Sequence, residues 1–191
     1  MSFFNRNLLL DRPTARFGAW FVVVTVLLSA LLLANMGFIF WMSSEGPEES
    51  GNRSGGITDT VIDVTYPDFD RRPPEEQVVI TDRTHHLVRK LAHFCEFALL
   101  GLLSAALLAH LARRLPLSTK MLWGFPAAFC LLYAISDEVH QMFTERGPAV
   151  KDVLIDFSGS LTGLLLLHLG VYLVRRILVR CRARMGKETA A

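Results

Sequence analysis

Three clusters of residues capable of acid–base or binding chemistry interrupt otherwise apolar stretches of this chain. They are Lys90, His93 and Glu96; Asp137, Glu138, His140 and Gln141; and Asp152 with Asp156, preceded by Arg146. His93 is the natural general base or acid, because a free imidazole titrates near neutrality. Glu96, Asp137 and Glu138 are the candidate catalytic partners that orient it or share its proton. Lys90, Gln141, Arg146, Asp152 and Asp156 are candidate binding residues, with Lys90 and Arg146 suited to an anionic head group or to negative charge developing in a reaction. No nucleophile stands out. Ser136 and Ser158 lie near the clusters but read as helix-packing hydroxyls, which favours hydrolysis or transfer through water over a covalent serine route. A metal set such as His93, Glu96, Asp137 and Asp152 is not singled out by spacing, so no metal ligand is assigned and the cofactor is left unknown.

Four apolar runs must position these residues. The first, Phe17 to Met42, carries no charge and has Asn35 as its one strongly polar side chain. At 1.5 Å per residue it exceeds a ~30 Å hydrocarbon core and is too long for a signal-peptide core, so it reads as a retained anchor. The others run from about Val88 to Leu111, Met121 to Phe143 and Val153 to Val174. The expected fold is all-α, a four-helix polytopic transmembrane bundle. Its parts are a basic N-terminus (1–16), the first span (17–42), an acidic loop (43–87), a unit of three spans (88–174) and a basic tail (175–191).

The loop holds ten acids against four bases and is broken by Gly46, Gly51, Gly55, Gly56 and Pro73-Pro74. Ile57 to Tyr66 alternates only enough for a short strand or nothing. Basic residues crowd the N-terminus, the connector carrying Arg113 and Arg114, and the tail from Arg175 to Lys187. By the positive-inside rule both termini are cytoplasmic and the acidic loop faces outward, in a plasma-membrane protein. With that orientation, every intramembrane charge falls at the outer end of its helix. Charges at membrane depth cost roughly 2.5–3.5 kcal/mol on insertion scales and are seldom left without a role.

Helical spacing narrows each cluster to one face. At ~100° per residue, Lys90, His93 and Glu96 share an arc of about 120°; Asp137, Glu138 and Gln141 share about 100°; Asp152 and Asp156 lie about 40° apart. The stripes are predicted to face one another around a wet pocket. Gly159 and Gly163 form a small-residue face for close helix approach, within or between chains. His85, His86, His110 and His168 read as interfacial or internally satisfied, and His140 as near the site without a direct role.

Other features exclude functions. A net charge of +2 in 191 residues implies no basic surface large enough for nucleic acid. Cys95, Cys130 and Cys181 have neither disulfide nor zinc spacing and read as small apolar residues.

The segments Lys90-Leu91-Ala92-His93-Phe94-Cys95-Glu96-Phe97, Ser136-Asp137-Glu138-Val139-His140-Gln141, and Arg146 through Asp152, Asp156, Gly159 and Gly163 resemble the VanZ family over roughly Arg89 to Leu167. That family is named for a protein associated with teicoplanin resistance. The resemblance carries Lys90, His93, Glu96, Asp137, Glu138, Gln141, Arg146 and Asp152 over as family-type polar positions. Asp156 departs from the pattern, in which Asn is common. The resemblance supplies no reaction. Three readings therefore stand side by side. The first is an enzyme acting on a lipid-linked or cell-envelope substrate at the outer face, with glycopeptide resistance as its associated phenotype. The second is a non-catalytic site for a ligand, ion or proton, and the third a salt-bridge network that fixes helix register. Membrane lipids are the expected surroundings in each, with oligomeric state open.

Overall fold

A computed structural model describes residues 18–44, 47–143 and 149–188, with the side chains of 47–54 and 182–188 left out of the description. Among the described residues the structure is 89% helical and has no strand. Five helices follow in order: α1 Ala19–Ser44, α2 Pro47–Thr65, α3 Pro74–Leu111, α4 Thr119–Gln141 and α5 Val150–Glu188, with a 3-10 turn at Phe69–Arg71 before α3. Helices α1, α3, α4 and α5 are each long and apolar enough to cross a membrane. This is the architecture of a multi-pass membrane protein.

The segment 43–87 is the main correction. It was expected as a loop, with a short strand or nothing at Ile57–Tyr66, yet its described residues are mostly helical. Glycines lower the intrinsic helix propensity of α2, but packing overrides a weak propensity. Thr58 and Ile62, four residues apart and therefore on one face, are both buried, and α2 packs along α3. The Pro73-Pro74 pair marks a boundary as expected, but the boundary starts a helix. Pro74 occupies the first turn of α3, where its missing N–H leaves nothing unsatisfied, and Glu75 and Glu76 complement the helix dipole there. Arg72 ties the corner, 3.2 Å from Asp68 and 3.6 Å from Glu76.

Two helices run past the apolar spans that they contain. α3 begins at Pro74 rather than near Val88, so its 38 residues make a rod nearly twice the hydrocarbon thickness. α5 continues through the arginine-rich segment to Glu188 rather than stopping at Val174. Charged residues end a membrane span; they do not end a helix, because Arg and Lys are good helix formers.

α3 and α5 form the most extensive helix pair, and glycine is the cause. A Cβ on Gly159 would lie closer than 3.0 Å to the Phe94 carbonyl, one on Gly163 would overlap the Ala98 carbonyl, and one on Gly101 would overlap the carbonyl of Ser160. The small-residue face thus works within the chain, against α3. A compact core of Ile39, Phe97, Leu100, Cys130 and Ala134 lies beneath the polar clusters and is flanked by Met36, Tyr133 and Val153. Tyr133 donates to the Met36 carbonyl at 2.7 Å, locking α4 to α1.

Candidate polar site

The clusters converge. Lys90 and His93 of α3, Gln141 of α4, and Asp152 and Asp156 of α5 line one cavity of about 20 Å³, together with Arg89 and Ile155. That volume admits a water molecule or a small ion, with little to spare. The close α3–α5 approach places the lining: Phe94, the residue after His93, meets Gly159, which lies three residues beyond Asp156.

Within the site the charges are unevenly matched. Lys90 forms an ion pair and hydrogen bond with Asp152 across the α3–α5 interface, both side chains being about 30% exposed. The ammonium thus reaches across to the neighbouring helix, as facing polar stripes require. His93 Nδ1 stands 3.7 Å from Glu96 Oε2 on the same helix. Asp137 is buried, and its Oδ2 accepts from both Ser43 Oγ and Gln141 Nε2 at 2.9 Å. Its Oδ1 is buried with no hydrogen-bond donor. Glu138 accepts from the Ala149 backbone N–H, which joins the end of α4 to the start of α5, while its Oε2 is buried and likewise without a donor. Asp156 is only 3% exposed. One ring nitrogen of His93, a carboxylate oxygen of Asp137 and one of Asp156 all lie within 4.8 Å of one another.

The residues read from the sequence as structural lie away from the centre. His140 stacks on Phe40 and lies 3.0 Å from Ser44 Oγ, facing α1. Ser136 and Ser158 donate to the carbonyls of Tyr133 and Ile155, as packing hydroxyls do. His110 meets the Phe21 carbonyl, and His168 the Leu164 carbonyl, each stacked on an aromatic ring. His86 is held by Arg89 at 3.2 Å. Arg146 lies outside the described residues.

Sequence reasoning missed Ser43 and Arg89. The signal for Ser43 was present: Asn35, Ile39 and Ser43 repeat every four residues, and all three are buried. Ending the first span at Met42 placed the hydroxyl in a loop. Asn35 itself donates to the Glu96 carbonyl at 3.4 Å, so α1 touches the site at two levels.

A family profile, VanZ/LLP1, matches residues 21–173. The chain belongs to the VanZ/LLP1 family. The match is wider than the stretch from Arg89 to Leu167 that carries the motifs, and takes in most of α1 as well as α2. This VanZ/LLP1 chain thus has its family match across every helix that lends a side chain to the polar site. No curated protein and no solved structure matches it.

Proposed function

We infer that the polar site is a catalytic centre, and that the chain is a membrane-embedded hydrolase or transferase acting on a lipid-linked or cell-envelope substrate at the outer face. One observation carries this reading. Among the described residues, five carboxylates (Glu96, Asp137, Glu138, Asp152 and Asp156) share the layer with a single carboxylate–ammonium pair, Lys90–Asp152. A network that served only to fix register would pair its charges, because an unpaired buried charge is strongly destabilising. Proton-transfer chemistry, by contrast, needs acids whose protons are free to move.

In this mechanism His93 takes the proton from a water or an acceptor hydroxyl as it attacks, with Glu96 orienting the ring. A protonated carboxyl of the layer returns a proton to the leaving group. Asp137 is fixed through Oδ2 by Ser43 and Gln141, which leaves Oδ1 without a donor. Glu138 positions the start of α5 through Ala149. Lys90 and Arg146 supply positive charge for an anionic head group, Lys90 while tied to Asp152.

The orientation belongs to the same proposal: both termini cytoplasmic, α2 and the first turns of α3 outside. With the native cysteines replaced, Asp59→Cys, exposed on α2, should label from outside intact cells. Labelling only after lysis would reverse the topology. For the site, His93→Ala, Glu138→Gln and Arg146→Ala are compared for membrane accumulation and for an envelope or teicoplanin phenotype. Normal accumulation with lost phenotype is expected. Loss of accumulation in all three would replace catalysis with the structural network.

A further inference from the structure

We propose that His93, Asp137 and Asp156 bind one divalent transition-metal cation, Zn²⁺ or Mn²⁺, between α3, α4 and α5. The proposal rests on the hydrolase-or-transferase reading for the chemistry, though not for the binding, and changes one role in it. With one ring nitrogen on the ion, His93 would be a ligand held by Glu96. The proton of the attacking water would then pass to a carboxylate that does not hold the ion, Glu96 or Glu138.

Three observations meet at this point. The three ligand atoms come from three different helices yet lie within 4.8 Å of one another. An ion at their centre would need each to close by well under ~1 Å to reach ordinary zinc bond lengths of ~2.0–2.2 Å. The donor set is mixed, one imidazole nitrogen with two carboxylate oxygens, which suits these cations better than the all-oxygen preference of Mg²⁺ or Ca²⁺. Asp137 is held as metal-binding carboxylates are: Ser43 and Gln141 both donate to Oδ2, which fixes the group, while buried Oδ1 has no donor.

Charge points the same way. Asp137 and Asp156 are each 3% exposed, Lys90 is committed to Asp152, and the guanidinium of Arg89 is engaged with His86. A dication balances two carboxylates inside a low-dielectric bundle. The adjoining cavity of about 20 Å³, lined by His93 and Asp156, has room for a metal-bound water, the species a hydrolytic site activates.

The test reads metal rather than turnover. The full chain, purified in detergent, is stripped with chelator and loaded with Zn²⁺ alone or Mn²⁺ alone. Elemental analysis after gel filtration should give one ion per chain. Asp156→Asn and His93→Gln should weaken binding at least tenfold, and Ser43→Ala should weaken it about tenfold through Asp137. Asp68→Asn, at the distant corner before α3, should bind as wild type does. Because a variant can fail to fold, the wild-type Mn²⁺ complex is also examined by electron spin echo modulation, where one imidazole nitrogen coupling is expected. No stoichiometric ion in the wild type, no nitrogen coupling, or unchanged binding by folded Asp156→Asn would each overturn the proposal. Stoichiometric binding with no phenotype from His93→Ala would overturn catalysis and leave the metal standing. A phenotype that depends on His93 in a chain binding no ion would do the reverse.

Discussion

The two ends of the bundle handle charge in opposite ways. At one end, carboxylates of three helices lie at or beside a cavity of about 20 Å³ that Asp152 and Asp156 line, and contacts between helices hold two of them, Lys90 to Asp152 and Ser43 to Asp137. At the other, a groove of about 370 Å³ is lined by Arg113, Leu122, Trp123, Val171 and Arg175. No acid occurs in the sequence from Phe97 to Ser136 or from Phe157 to Lys187. Arg113, Arg114, Arg176 and Arg180 of that end are exposed, in the α3–α4 connection and along the later turns of α5. The acids sit inside the packing, where the protein or something it binds must supply counter-charge. Burial, rather than the number of charges, separates a built site from an ordinary membrane anchor.

The sharpest way to break this contrast is to change the helix spacing. Gly163→Val should disrupt the α3–α5 contact at Ala98, costing about 1–3 kcal/mol by overpacking. Gly170→Val, toward the basic end of the same helix, meets open space and should be nearly neutral, within ~0.5 kcal/mol. Thermal unfolding in detergent compares the two. Equal losses would mean that glycine spacing does not build the polar end.

A smaller effect is expected from the Lys90–Asp152 pair. Lys90→Met leaves Asp152 without its cation and should cost about 2 kcal/mol, less than a fully buried pair because both side chains are about 30% exposed. The double variant Lys90→Met/Asp152→Leu should recover most of the loss. Strict additivity in that cycle would show that the pair contributes no coupling. Smallest of all, Arg113→Ala with Arg175→Ala should shift stability by no more than ~0.5 kcal/mol and leave ion binding unchanged. A larger effect on ion binding would connect two ends that the packing keeps apart.

Much of the polar end was legible from spacing. Residues at i+3 and i+4 intervals in apolar runs identify a face, and His93, Asp137, Asp152 and Asp156 were found that way. Their partners were not, because a face does not say which neighbour it meets: Lys90 reaches Asp152 rather than the residues of its own helix. Ser43 escaped because hydropathy ends a span where polarity rises, whereas the helix runs on to Ser44. The helical character of 47–65 escaped for a related reason. Its stability comes from burying Thr58 and Ile62 against a neighbour, which local composition cannot register.

The hydrogen bond from Ser43 to Asp137 joins residues 94 positions apart, and synthesis runs from the N-terminus. α4 is the least apolar of the four spans and carries Asp137, Glu138 and Gln141 at its end. When it leaves the ribosome, α1 and α3 are already made, so the hydroxyl of Ser43 is available before the carboxylate it serves arrives. The first span, which holds no charged side chain, is thereby a waiting berth for the helix most reluctant to enter lipid. Replacing it by an unrelated apolar anchor would be felt during insertion, before any chemistry could be measured.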